Sequence, residues 1–215
     1  MARITVLGGT GYAGSHIASE AASRGHEVTA VSRRAPESPT EGVNYVSGDV
    51  KDEGFLAGLM DGAEVILVAI APREDMLGQV KQAAERLIPM VEKHGVRLGV
   101  IGGAGSLRVS PDGPRLIETS KFPEQAKPEA FEMTEVWGDL QRSDEALDWF
   151  FVSPAAGFGA FNPGERRGTY RTDDSGVLLT DDEGRSDLSA ADLAIALVDE
   201  VEAPRHHRTR FAVAY

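Results

Sequence analysis

An apolar run, Ile4 to Leu7, breaks into Gly8-Gly9-Thr10-Gly11-Tyr12-Ala13-Gly14 and then into a stretch with the apolar spacing of a helix. Glycines three residues apart suit a strand that must turn sharply, a backbone that must approach a ligand, and a helix that must pack close to a sheet. Amides at the start of the new helix face outward, and the macrodipole favours negative charge there. The expected occupant is the pyrophosphate of a dinucleotide. Gly8, Gly9, Thr10, Gly11, Tyr12, Ala13 and Gly14 are therefore candidate cofactor-binding residues. The run does not continue into Gly-Lys-Ser/Thr, which argues against a P-loop NTPase.

The rest of the chain alternates strand and helix as far as residue 152. Arg3 to Gly8 reads as a strand, 12–24 as a helix closed by Gly25, and Glu27 to Ser32 and Val43 to Ser47 as strands. A short helix is expected over Glu53 to Met60. Glu64 to Ile70 is nearly continuously apolar, as a central parallel strand covered on both faces should be. A long helix is expected over 74–94 with a kink at Pro89, then a strand over Val96 to Ile101, a helix over 128–146 with Pro128 in its first turn, and a strand over Asp148 to Val152. This order predicts an α/β fold, a Rossmann-type doubly wound parallel sheet in three α/β/α layers. After residue 153 the rhythm changes. Thr169 to Leu179 alternates around Asp173-Asp174-Ser175-Gly176 as a hairpin would, Ser189 and Asp192 resemble the cap and first turn of a helix to Val201, and Phe211 to Tyr215 reads as a closing strand. The expectation is a single domain over 1–215, with 153–190 as a small substrate-side elaboration.

Composition narrows the class. The chain of 215 residues has 41% hydrophobic and 26% charged residues, which is ordinary for a globular domain. It has no cysteine, so thiolate and disulfide chemistry are excluded. A net charge of −12 would repel a polyphosphate backbone, and Arg205-His206-His207-Arg208 is too short a patch to reverse that, so no nucleic acid is expected. No apolar run approaches the ~18 residues of a membrane span. Met1-Ala2-Arg3 leads straight into the first strand without a signal peptide, and a cytoplasmic location is expected. A monomer or homodimer is expected. No G-x-S-x-G elbow occurs, and His16, His26, His94, His206 and His207 form no ligand pair with a carboxylate at helical spacing, so no metal site is expected. Asp181-Asp182-Glu183-Gly184 lacks the alternating ligands of a calcium loop.

Cofactor preference is read at the end of the second strand. An NAD enzyme usually places an acid there, roughly 20 residues after the glycines, for the adenosine ribose. Here the sequence is Val31-Ser32-Arg33-Arg34, and two guanidinium groups suit a 2′-phosphate. NADP is favoured, with NAD left open. Asp49 and Val50, after the third strand, are placed for the adenine amine and ring, although an Asp after a strand is also an ordinary helix cap. Ala69 and Ile70 end the fourth strand and Gly102 and Gly103 the fifth, giving a cleft floor with little side-chain bulk.

Several segments together resemble one family: Gly8–Gly14, Gly48-Asp49-Val50, Gly102-Gly103-Ala104-Gly105-Ser106-Leu107, Lys127-Pro128-Glu129-Ala130, Ser153-Pro154-Ala155 and Arg210-Phe211-Ala212-Val213-Ala214-Tyr215. They are similar to the NADH–flavin reductase group of atypical short-chain dehydrogenases/reductases, relatives of biliverdin-IXβ/flavin reductase and of NmrA-like proteins. The glycine motif is shared across a vast superfamily, and the later segments are more specific to this group. The resemblance implies NAD(P)H binding, with Pro154 and Ala155 on the cofactor side, and reduction of a small aromatic acceptor such as FMN or FAD.

Ordinary members of the superfamily use Tyr-x-x-x-Lys on a helix, the lysine lowering the phenol pKa. None exists here: Tyr12 is followed four residues later by His16, Tyr45 by Asp49 and Tyr170 by Asp174, and Tyr215 ends the chain. Hydride transfer to a flavin, quinone or bilin-like ring needs less proton donation, because charge delocalises over the ring. The polar candidates are Ser106, Lys127 and Ser153, with catalytic roles assigned to Ser106 and Lys127. Two alternatives stand beside the reductase: a non-catalytic NmrA-like dinucleotide sensor and, more weakly, a sugar-nucleotide epimerase.

Overall fold

The apolar runs of the central strands bury both of their faces, so the sheet they form has to be covered twice. The computed structural model describes residues 1–215. Its strands are β1 (Arg3–Leu7), β2 (Glu27–Ser32), β3 (Val43–Ser47), β4 (Val65–Val68), β5 (Arg97–Ile101), β6 (Trp149–Pro154), β7 (Arg171–Asp173) and β8 (Thr209–Ala214). The helices are α1 (Tyr12–Ser23), α2 (Glu53–Gly58), α3 (Gln79–His94), α4 (Lys127–Arg142) and α5 (Ala190–Glu202). All eight strands join in the order β3-β2-β1-β4-β5-β6-β8-β7, parallel throughout except for β7 against β8. Strand order reverses between β1 and β4, and the glycine turn leaves the sheet at that point.

Successive residues supply opposite cores. On one face Ile4, Val6, Leu67, Phe150 and Val152 pack with Ile17 of α1 and Leu193 and Leu197 of α5. On the other, Leu7, Ile66, Val68, Trp149 and Phe151 pack with Leu87 and Val91 of α3 and Met133, Val136 and Leu140 of α4. Two glycines make room for the aromatic pair of β6. A Cβ at Gly99 would lie 2.4 Å from the Phe150 ring, and one at Gly102 would lie 2.0 Å from the Phe151 ring.

The expected helix over 74–94 divides. Glu74–Met76 is a single 3-10 turn, and Gly78, at φ 75°, separates it from α3. The break is stabilised from outside, because the buried Glu132 carboxylate on α4 accepts from the Gly78 amide at 2.5 Å and the Lys81 amide at 2.9 Å. Pro89 lies inside α3, which continues to His94 before Gly95, at φ 65°, closes it. α2 stops at Gly58 and α4 at Arg142, each a little short of expectation.

The C-terminal elaboration turns at Asp173-Asp174-Ser175-Gly176, where the Asp173 carboxylate accepts from the Ser175 amide at 2.8 Å. Its two arms pair outward. β7 runs antiparallel to β8, while Val177 bridges Arg108 of a small hairpin over 107–116 that the sequence did not signal. That hairpin, with Ala104, Leu107, Leu178 and Leu179, covers Ala212 of β8.

Candidate functional site

The Gly8–Gly14 turn is held by its neighbours and leaves its own amides unspent. Gly8, at φ 84°, and Gly9 both donate to Val31 O of β2 at 2.9 Å, and Gly11 donates back to Gly8 O at 2.9 Å. A Cβ on Gly14 would sit 2.2 Å from Gly8 O, and one on Gly9 would sit 2.6 Å from the Ala30 Cβ. Gly11 caps α1 in extended geometry with no side-chain cap. The amides of Thr10, Tyr12, Ala13 and Gly14 meet no protein acceptor. This is a cluster of donors at the positive end of a helix, on the sheet's carboxyl rim, and it fits a pyrophosphate.

Around the rim, β1, β2 and β4 end level, with Leu7 opposite Val31 on one side and Val68 on the other. The exposed Arg33 guanidinium, just past β2, is paired with Asp75 of the 3-10 turn beyond β4, with Nη2 to Oδ1 at 3.4 Å as the longer of two contacts. Hydrogen bonding to Arg33 holds the Asp75 carboxyl below the usual carboxylate range. Arg34 is exposed. Asp49 does not cap α2; that role belongs to Asp52, which accepts from the Phe55 amide at 3.1 Å. Asp49 instead turns the loop by accepting from the Lys51 amide at 2.9 Å, beside the buried Val50.

The other half of the rim is built from small residues. Ala69 and Ile70 follow β4 half-buried, and Gly103 follows β5 with no atom within 4 Å of where its Cβ would stand. Pro154 ends β6 and Ala155 follows it, both buried. Ser106 is buried in a 3-10 turn after β5. Its Oγ accepts from Arg210 Nη1 of β8 at 3.0 Å, and no protein group accepts its proton. Arg210 forms no ion pair and lies 4.1 Å over the Trp137 ring. Burial lowers its pKa, and Arg115 nearby adds to the effect. Lys127, at the start of α4, bonds Glu124 at 2.6 Å. No hydrogen bond or ion pair joins it to Ser106. Ser153 is sealed inside β6, its hydroxyl without a partner.

Residues 155–168 carry the chain from β6 back to the glycine turn. Tyr12 donates to Pro163 O at 3.3 Å, and its ring lies 5.5 Å from that of Phe158. The base of this loop is fixed by Asp192 of α5, fully buried, which accepts from the Arg167 and Gly168 amides at 2.8 Å, from Ser189 Oγ at 2.8 Å and from Tyr215 Oη. Burial works to raise the Asp192 pKa, but these donors outweigh it and hold the carboxyl low. Ser189 caps α5 as the sequence suggests. Arg210 and Asp75 are site-forming residues to which the sequence reading gave no role, and Asp192, read only as the first turn of α5, also anchors the 155–168 loop. Arg210 stands at the head of the Arg210–Tyr215 segment that carries part of the resemblance, a lone cation before an apolar run.

A model of NAD(P)H-binding proteins matches residues 8–204. YwnB of Bacillus subtilis (strain 168), an uncharacterized protein, is 38% identical over 215 residues, covering 98% of this chain and 97% of YwnB. SP1627 of Streptococcus pneumoniae TIGR4, a proposed NADH-flavin reductase, is 31% identical with a TM-score of 0.88, covering 100% of this chain and 99% of that one. A proposed exported protein of Burkholderia pseudomallei is 40% identical with a TM-score of 0.87 over 100% of both chains. With the reversal of strand order at the glycine turn, these matches establish that the chain belongs to the NAD(P)H-binding family of atypical short-chain dehydrogenases/reductases.

Proposed function

We propose that the protein is an NAD(P)H-dependent reductase whose acceptor is a flavin, a quinone or a similar conjugated ring. The observation that carries this reading is the rim between β4 and β6. Ala69, Gly103 and Ala155 leave it with little side-chain bulk, while the space beside Gly102 is taken by the Phe151 ring, and α4 offers no Tyr-x-x-x-Lys pair. A site of that kind suits ring-on-ring contact better than proton-assisted carbonyl reduction. The likeness to SP1627 supports the same acceptor class.

A bound reduced cofactor supplies the hydride. The chain's own residues position and polarise. The free amides of Thr10, Tyr12, Ala13 and Gly14 hold the pyrophosphate, Arg33 and Arg34 favour a 2′-phosphate and hence NADP, and Asp49 with Val50 receives the adenine. Arg210 fills the acceptor side of the Ser106 hydroxyl, so the proton of that hydroxyl is left to donate toward a ligand. Lys127 is a cation at the start of α4 for an anionic acceptor, available once Glu124 releases it.

The second reading, a dinucleotide sensor, calls for an exposed apolar surface for a partner, and Phe161, 75% exposed on the 155–168 loop, is a single such residue. The two readings separate in one assay. Purified protein with NADPH or NADH is given FMN, FAD, quinones and biliverdin in turn, and loss of the nicotinamide absorbance is followed. Reduction of a panel member above the protein-free rate supports the reductase. Tight cofactor binding with no acceptor reduced would sink it in favour of the sensor.

A further inference from the structure

In the sheet, β1 lies between β2 and β4, and its glycine turn opens at the rim between their ends. Arg33 comes from the loop after β2 and Asp75 from the turn after β4, so their ion pair spans the carboxyl end of β1. Two contacts make the pair, Nη1 with Oδ2 and Nη2 with Oδ1. A guanidinium engaged in this way presents to the carboxylate the same forked face that a 2′-phosphate would require. Asp75 and a phosphate dianion cannot share it. Asp49 and Glu74 add negative charge around the same guanidinium. An adenosine ribose without the phosphate brings hydroxyl donors instead, which a carboxylate at this place accepts while still neutralising Arg33. Sequence gives no acid at the end of β2; the fold delivers one from the neighbouring crossover. Both side chains are about half exposed, at 52% and 53%, so the pair opens cheaply and neither cofactor is shut out.

We propose that Asp75 is the residue that sets the balance between NADPH and NADH, by competing with the 2′-phosphate for Arg33 and by receiving the ribose hydroxyls of the unphosphorylated cofactor. This inference rests on the cofactor assignment made above and adds to it a selecting residue on the opposite side of the glycine turn.

The test is an equilibrium titration of NADPH and NADH by nicotinamide fluorescence, on the wild type, Asp75→Ala, Arg33→Ala and the double variant. Asp75→Ala is expected to tighten NADPH roughly five-fold at low salt and to weaken NADH. The gain for NADPH should vanish in the Arg33→Ala background, and melting temperatures should stay at the wild-type value because both residues are exposed. A shift of equal size and direction for both cofactors, no shift for either, or a gain for NADPH that survives Arg33→Ala would overturn the proposal. No acceptor is present, so a failed reductase assay is a separate result.

Discussion

A methyl group on Gly14 would have to stand 2.2 Å from the Gly8 carbonyl oxygen, and no rotation of a flexible side chain relieves that contact. Gly14→Ala therefore has to displace the turn from the first helical residues, and cofactor affinity is expected to fall by at least about ten-fold, as read by NADPH titration. Arg210 makes a second prediction at the same scale. If it acts by orienting Ser106, Arg210→Met and Ser106→Ala should each lower kcat for the acceptor, and the double variant should be no worse than Ser106→Ala alone. Full additivity in that cycle would refute the positioning role, and Arg210→Lys should restore part of the loss. The glycines were legible because their spacing is local. Arg210 and Ser106 lie 104 positions apart, and Arg33 and Asp75 lie 42 apart, so only the pairing of strands brings them together.

Most elements were legible, because strand and helix periods are written in short windows. Where sequence and structure part, a distant residue decided. The apolar pattern of 74–94 continues across Gly78, yet α3 starts only after it, its first amides satisfied by Glu132, which lies 54 and 51 positions away. Removing that carboxylate leaves two part-buried donors without their partner at the positive end of a helix. Glu132→Ala is expected to cost about 1–3 kcal/mol in urea unfolding, with Glu132→Gln losing less because its carbonyl still accepts. The hairpin signal at 169–179 located the turn correctly. The partners of its arms, β8 and Arg108, were hidden because each is distant in sequence.

At the scale of the molecule, the sheet divides its labour between its two edges. The carboxyl rim keeps unspent donors and small residues, whereas at the amino edge around Arg97 charged groups pair with one another. There Arg97 Nη2 donates to Glu200 Oε1 at 2.7 Å, and His206 Nδ1 lies 2.7 Å from Glu200 Oε2. Glu20 and Asp199 bind Arg24 between α1 and α5, and Asp192 anchors the 155–168 loop. In Glu20, Asp192, Asp199 and Glu200 alike, burial pushes the pKa up and the hydrogen-bond donors more than reverse it, so each folded value lies below the ordinary one. Groups with depressed folded pKa values contribute stability that is complete above the ordinary carboxylate range and is lost as pH falls through the depressed values. The melting temperature should therefore hold down to about pH 5 and then drop steeply below about pH 4. A melting temperature unchanged down to pH 3 would show that these carboxylates do not support the fold.

On the reading proposed above, the rim built on Gly8–Gly14 binds a reduced dinucleotide and passes its hydride to a conjugated ring. Anaerobic single-turnover mixing of the NADPH-loaded protein with the best acceptor of the panel tests it most directly, with the nicotinamide and acceptor bands followed together. The two bands should decay at one rate, slowed when the transferred hydrogen is replaced by deuterium, and Gly14→Ala should lower the amplitude at a cofactor concentration that just saturates the wild type. A cofactor that binds while both bands decay no faster than in protein-free solution would contradict the claim.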